Sequence, residues 1–257
     1  MPTLTVTVVQ AELCWHDAVR NREHFTAVIR GLQDATDLIV LPEMFTTGFS
    51  MDAPNLAESM DGDSVRWMRE TAAGCNAAVC GSLIIAQEQQ FYNRFICAFP
   101  SGELHCYDKR HLFRLAGEQN HYAPGETLVT FELNGWRVCP MVCYDLRFPA
   151  WSRNRDSYDL LLYVANWPER RHHAWETLLR ARAIENLSYV AGVNRTGKDG
   201  NDIPYKGGSS IINYLGKTLV DLGNRTGTAT TVLDLDQLGA FRDRFAFHKD
   251  ADNFTLT

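Results

Sequence analysis

The stretch that decides the reading is Trp136-Arg137-Val138-Cys139-Pro140-Met141-Val142-Cys143-Tyr144-Asp145-Leu146-Arg147-Phe148-Pro149. Val138 to Val142 is apolar, β-branched and sulfur-rich, which predicts a buried strand. The polarity then changes within one residue, and Asp145, Arg147 and Pro149 signal a tight turn or short helix. Cys143 stands on that junction. Where a buried strand ends and backbone N–H groups turn outward, a thiol is more readily deprotonated and can reach a ligand. The alternative is a buried, inert cysteine, the commoner fate of a lone Cys in an apolar run.

Downstream, Asp159 to Ala165 predicts a second buried strand, closing on Asn166-Trp167-Pro168. His172 to Leu187 reads as a helix with Trp175, Leu178, Leu179 and Leu187 inward and Arg180 and Arg182 between them. Pro149 to Arg155 reads as a short exposed connection. Ser188 to Val193 is a strand, Lys198 to Gly208 a polar Gly-rich loop, and Ser209–Tyr214 with Thr218–Leu222 a hairpin. Thr228 to Leu235 is a last strand and Leu238 to Phe245 a short helix.

Upstream, Leu4 to Gln10 predicts the opening strand. Asp17 to Asp34 predicts a helix with Ala18, Phe25, Ile29 and Leu32 on its inner face. Asp37 to Leu41 is a buried strand that stops at Pro42-Glu43. A carboxylate just past the carboxyl end of a buried strand is where open α/β sheets place ligands; the alternative for Glu43 is a solvated loop acid or a cap. Phe45 to Asn55 suits one wall of a pocket. Asp61-Gly62-Asp63-Ser64 caps a helix through Cys75, with Val65, Met68 and Ala72 inward. Ala77–Ala86 and Phe91–Phe99 pair as strands, and Leu104 to Tyr107 is a short one. Asp108 to Gly125 is the longest stretch without periodicity, and such segments are usually functional or mobile. Its Lys109 follows a strand directly, as Glu43 and Cys143 do.

A chain of 257 residues with 45% hydrophobic residues can bury a sizeable core. Strands and helices interleave to Leu187 and strands dominate after it. No linker or repeat divides the chain, so residues 1–257 are expected to form one α/β domain with two sheets. A net charge of −6 argues against a nucleic-acid surface. No apolar run approaches the ~18 residues of a membrane helix, and the start, Met-Pro-Thr-Leu-Thr-Val, lacks the regions of a signal peptide. Seven cysteines without a Cys-x-x-Cys pair indicate neither a disulfide framework nor a zinc ribbon, and point to a reducing, cytoplasmic setting. His172-His173 is read as a helix-start cluster rather than a metal site, because no Cys or carboxylate stands at ligand spacing.

With these residues assembled, the chain resembles the nitrilase superfamily, the carbon–nitrogen hydrolases. The resemblance rests on Leu-Pro-Glu-Met-Phe at 41–45, Asp-Lys-Arg-His-Leu-Phe at 108–113 and Val-Cys-Tyr-Asp-Leu-Arg-Phe-Pro at 142–149. Ala-Asn-Trp-Pro at 165–168 and Arg-Ala-Arg-Ala-Ile-Glu-Asn at 180–186 add to it. The closest branch is the omega-amidase type, which hydrolyses the distal amide of short dicarboxylic monoamides such as 2-oxoglutaramate and 2-oxosuccinamate. The resemblance implies an α/β four-layer α-β-β-α sandwich, dimerised so that sheets continue across the interface. It also implies that Cys143, Glu43 and Lys109 converge, with a fourth acid between lysine and cysteine. Glu118 is the choice for that acid and Glu126 its competitor.

The implied chemistry suits the residue types. Cys143 as thiolate attacks the amide carbon, and Lys109 with the backbone N–H of Tyr144 stabilises the tetrahedral oxygen. Glu43 moves the protons, and Glu118 orients Lys109 or the substrate amide. Arg147 is the candidate anchor for a substrate carboxylate, the alternative being a structural arginine paired with an acid. Phe113, Trp167 and Phe49 form a narrow apolar sleeve. No metal or cofactor is called for; the partners are a small amide and water, with no nucleic acid and no membrane. An N-carbamoyl amino acid hydrolase, a nitrilase, and a non-catalytic binding protein on the same fold are the rival readings.

Overall fold

Apolar, β-branched runs become strands and amphipathic runs become helices, interleaved along the first half of the chain. The structure, a computed structural model, describes residues 2–32, 35–155, 157–252 and 254–255. In chain order the elements are β1 (Thr3–Gln10), α1 (Ala18–Arg30), β2 (Leu38–Val40), α2 (Ala53–Leu56), α3 (Asp63–Cys75), β3 (Ala78–Gln87), β4 (Gln90–Ala98) and β5 (Leu104–Asp108). The second half adds β6 (Phe131–Leu133), β7 (Trp136–Val142), β8 (Leu160–Val164), α4 (His172–Asn186), β9 (Tyr189–Val193), β10 (Thr196–Lys198), β11 (Pro204–Lys206), β12 (Ser210–Ile212), β13 (Thr218–Asp221), β14 (Gly227–Asp234) and α5 (Leu235–Arg244).

Two six-stranded mixed sheets result, ordered β14-β1-β2-β3-β4-β5 and β13-β12-β9-β8-β7-β6. Successive side chains on a strand point to opposite faces, and the burial follows that rule. Leu4, Val6, Val8, Leu38, Val40, Ala78 and Cys80 turn into the core shared with the second sheet. Val9, Ile39, Leu41 and Val79 turn the other way, onto Phe25 and Ile29 of α1 and Val65, Met68 and Ala72 of α3. On the second sheet, α4 supplies Trp175, Leu179 and Ala183. The layers are therefore helix, sheet, sheet, helix. Each Leu, Val or Phe fully buried between them contributes about 1.5–3 kcal/mol relative to exposure. The contact of α4 with β9 is close enough to need Gly192, where a Cβ would fall 2.5 Å from Leu179.

Several expectations change in detail. The first helix ends at Arg30, and Asp34 lies outside the described residues. Its buried face carries Asn21 with Phe25 and Ile29 rather than Ala18, because the Asn21 amide spans Cys14 and Thr46 with hydrogen bonds. The N-cap of α3 is Gly62 with no side-chain cap, and Glu58 instead accepts from the Ser64 amide at 2.7 Å. In α4, Arg182 is buried, held by the Leu146 carbonyl at 2.6 Å. The segment after Pro149 is not simply exposed: Trp151, Ser152 and Asn154 are buried. The loop from Lys198 contains the small β10–β11 ladder, which has its own two-stranded sheet.

Candidate active site

Sheet topology explains why residues far apart in sequence meet. β2 runs parallel to β1 and β3, and two reversals through β4 bring the carboxyl end of β5 to the same edge. In the second sheet β7 and β8 run parallel. Glu43, Lys109, Cys143 and Asn166 come just after the ends of β2, β5, β7 and β8, and the four strand ends meet across the sandwich.

Glu43 is wholly buried and every part of its carboxylate is engaged. Oε1 accepts from Asn93 Nδ2 at 2.7 Å and from Lys109 Nζ at 3.0 Å; Oε2 accepts from the Asn166 amide at 2.8 Å. Its backbone is fixed as well, since the Met44 amide donates to Ser82 Oγ and Asn166 Nδ2 to the Glu43 carbonyl. The cap reading of Glu43 is thereby set aside. Asn93 is oriented by Ser82, whose hydroxyl donates to Asn93 Oδ1 at 2.8 Å.

Lys109 Nζ also reaches both oxygens of Glu118, at 2.9 and 3.0 Å. Burial opposes the ammonium charge, but Glu118 and Glu43 overcome it and hold Lys109 well above its ordinary value. Glu118 is pushed up by burial and by Glu43, against the pull of Lys109. For this buried cluster the firm direction is that of Lys109, a cation between two carboxylates. Of the two acids weighed from sequence, Glu118 is buried in the cluster, while Glu126 is exposed. Glu118 comes from a one-turn 3-10 helix, Glu118–Asn120, and its Oε2 accepts from the Phe113 amide at 2.5 Å.

Cys143 opens a 3-10 helix, Cys143–Arg147, with φ at +45°. This left-handed backbone costs a non-glycine residue about 1–3 kcal/mol and persists only where its surroundings hold it. Asp145 does so. Its carboxylate accepts from the amides of Val142 at 3.0 Å and His111 at 2.9 Å and from the Tyr107 hydroxyl at 2.8 Å. One buried carboxylate thus ties the cysteine turn to the lysine loop. The Tyr144 N–H falls in the first turn of that helix, where amides have no intrahelical acceptor.

The sulfur differs from expectation in one respect. Burial raises the Cys143 thiol well above its ordinary value, and the neighbouring Glu43 charge and its hydrogen bond to the thiol raise it further; Lys109 pulls the other way. Burial first, and the Glu43 charge after it, thus favour the neutral thiol over the thiolate at this position.

Above the cluster opens a cavity of about 600 Å³. Lys109, Cys143 and Asn166 line it, and Phe49, Phe113, Tyr144 and Trp167 supply aromatic surface. The sleeve residues expected from sequence all belong to this cavity. Arg147 does too, with its guanidinium 5.0 Å above the Trp167 ring; it has no acidic partner among the described residues. Sequence reasoning did not find Asn93, Asn166 or Arg171, another cavity residue. Asn166 carried a usable signal, a polar residue at a buried strand's end, as at Glu43. The His172-His173 pair lies at the start of α4, where His172 bonds Glu176 at 3.0 Å and His173 is exposed.

Comparison with known proteins gives concordant findings. The family model for carbon-nitrogen hydrolase matches residues 5–243. The chain is 47% identical to omega-amidase YafV of Escherichia coli K12 over 257 residues, all of both chains. It is 32% identical to 2-oxoglutaramate amidase of Bacillus subtilis, with 96% of each chain covered. Among solved structures it is similar to XC1258 of Xanthomonas campestris, a CN-hydrolase superfamily protein with an arsenic adduct in its active site. That match has a TM-score of 0.97, 45% identity and full coverage of both chains. With a family match over nearly its whole length, relatives aligned end to end and the same sandwich in a solved homologue, the chain belongs to the carbon–nitrogen hydrolase family.

Proposed function

We propose that the protein hydrolyses the distal amide of small dicarboxylic acid monoamides, of the 2-oxoglutaramate and 2-oxosuccinamate type, to acid and ammonia through a Cys143 thioester. The observation that carries this reading is the buried Glu43–Lys109–Glu118 cluster set against Cys143 on the floor of a cavity with unpaired arginines. The names of the relatives, omega-amidase and 2-oxoglutaramate amidase, support the same substrate class.

In this mechanism Glu43 takes the thiol proton as sulfur attacks the amide carbon. Negative charge moves to the carbonyl oxygen, where Lys109 Nζ and the Tyr144 N–H stabilise it; one such donor is typically worth about 3–4 kcal/mol. Collapse breaks the carbon–nitrogen bond, and the proton held by Glu43 leaves with ammonia. Glu43 then draws a proton from water as its oxygen attacks the thioester, and the thiol is restored with release of the acid. Glu118 keeps Lys109 charged and aimed. Arg147 anchors the distal carboxylate, and Phe49, Phe113 and Trp167 bound the carbon chain.

The same reading places the protein in the cytoplasm as a homodimer. Seven unpaired cysteines support a reducing setting, and sedimentation of the purified protein tests the assembly. The catalytic reading is tested by ammonia release from a panel of monoamides, N-carbamoyl amino acids and nitriles, beside Cys143→Ala. Release from the monoamides alone, lost in the variant, is the expected result. Full activity in Cys143→Ala would reject the mechanism, and preference for carbamoyl acids or nitriles would reject the substrate class.

A further inference from the structure

Three guanidinium groups, those of Arg147, Arg170 and Arg171, line the catalytic cavity. Among the described residues none of the three makes an ion pair or a side-chain hydrogen bond, whereas the cavity's two carboxylates are engaged. Asp52 accepts from Asn55 at 2.7 Å. Asp199 accepts from the Tyr205 hydroxyl at 2.9 Å and from the Asn201 amide at 2.8 Å. Cations crowded without a counter-charge are costly unless something anionic joins them. The strain registers at Arg171, whose guanidinium is lowered by burial first and then by the like charges of Arg170 and Arg147.

Two of these arginines are held rather than loose. Arg147 lies over the ring of Trp167 at 5.0 Å and Arg171 over the ring of Phe113 at 4.9 Å. The two are also linked, because Trp167 Nε1 donates to the Arg171 carbonyl at 2.8 Å. One tryptophan therefore carries the first guanidinium on its face and fixes the backbone of the second. Arg170, by contrast, is exposed and stacks on no ring among the described residues. Stacking on an aromatic face leaves the edge of a guanidinium, with its fork of N–H donors, free to bind a carboxylate.

We propose that Arg171 is a specificity-determining residue that pairs with Arg147 to grip the carboxylate end of an anionic amide, so that charge at that end selects the substrate. The assignment rests on the amidase reading above but concerns a residue and a discrimination which that reading does not specify. Arg171 acts on binding, not on the chemical step: its contact with the distal carboxylate is the same in the ground state and the transition state, so it lowers KM without raising kcat.

The test compares succinamate with butyramide, which has the same chain length and amide but no carboxylate. Arg171→Gln should raise KM for succinamate by about 30-fold, the order expected of one charge-assisted hydrogen bond, with kcat within about threefold. Its kcat/KM for butyramide should equal that of the wild type, and Arg171→Lys should recover part of the loss. An equal loss on both amides, or no change in KM for succinamate, overturns the assignment. Thermal stabilisation by succinate, measured on wild type and Arg171→Gln, separates this proposal from the catalytic one. If the wild type turns over no monoamide, the amidase reading fails. The Arg171 assignment then stands or falls on whether succinate raises the melting temperature of the wild type and not of the variant.

Discussion

Glu118 presents both carboxylate oxygens to Lys109 Nζ, at 2.9 and 3.0 Å, in a place where neither side chain meets solvent. Lys109 is thereby supplied with a counter-charge other than Glu43, which leaves Glu43 available to take a proton. Glu118→Gln keeps the volume and an acceptor for the Phe113 amide but removes the charge. Lys109 then leans on Glu43 alone and weakens it as a base, so kcat should fall by about 100-fold, the scale of a general-base contribution. Glu118→Ala should in addition lose about 3 kcal/mol in urea unfolding, because it leaves a buried ion pair broken. An unchanged kcat in Glu118→Gln would show that Glu43 does not depend on it.

The Cys143 thiol is raised by burial and by Glu43, which makes its acidity and its catalytic competence move in opposite directions. Alkylation of Cys143 by iodoacetamide should climb with pH through the alkaline range and show no plateau near neutrality, since only the thiolate reacts. In Glu43→Gln the nearby negative charge is gone, so the thiol becomes more acidic and the alkylation profile shifts to lower pH. Turnover in the same variant should nevertheless be abolished, for lack of a base. The check is the rate of Cys143 labelling between pH 6 and 10, followed by mass spectrometry. A Glu43→Gln profile shifted to higher pH would contradict the geometry.

Placement of Glu43, Lys109 and Cys143 was legible because each stands where an apolar run meets a polar residue, and parallel strands bring such ends to one edge. Asn93 was not legible. It lies within β4 between Tyr92 and Arg94, where an asparagine says nothing about the Ser82 and Glu43 side chains that the fold brings to it. Arg171 was hidden for a similar reason, as one of several arginines whose partners are set by tertiary packing. Burial of Trp151 was missed because its cause is long-range: the indole N–H donates to the Tyr107 hydroxyl at 3.0 Å. The acidity of Cys143 was not legible either, since it depends on how deeply the sulfur is buried and on the Glu43 charge beside it, both set by the tertiary fold.

The loop from Lys109 to Gly125 is closed at its base by a backbone bond, with the Gly125 amide donating to the Lys109 carbonyl at 2.9 Å. The two chain segments of this junction approach so closely that a Cβ at Gly125 would fall 2.1 Å from the Asp108 carbonyl oxygen. Backbone cannot yield as a flexible side chain can. Gly125→Ala should therefore displace the residue next to Lys109, lowering kcat by about 100-fold, as misplacement of catalytic groups does. It should cost on the order of 1–3 kcal/mol in stability, as overpacking does. Activity and melting temperature equal to wild type would mean the loop base is softer than it is drawn.

At the opposite end of β8 from Asn166 lies Asp159, buried beside two arginines. It accepts from Arg137 at 2.7 Å and from Arg242 of α5 at 2.6 Å, and so fastens the last helix to the second sheet. Burial pushes the Asp159 carboxyl up, but the hydrogen bonds and charges of Arg137 and Arg242 outweigh it and hold the group below its ordinary value. A carboxyl depressed on folding contributes stability above its unfolded pKa, about 3.9, and loses it as pH falls through the lower native value. Asp159→Asn should thus be less stable than wild type by about 3 kcal/mol at pH 7, and the gap should narrow steadily below about pH 4. Urea unfolding at pH 7 and pH 3 measures both. Because the residue sits at the far end of its strand from Cys143, turnover at pH 7 and 25 °C should be unaffected; a kcat that fell with stability would show the two ends of the sheet to be coupled.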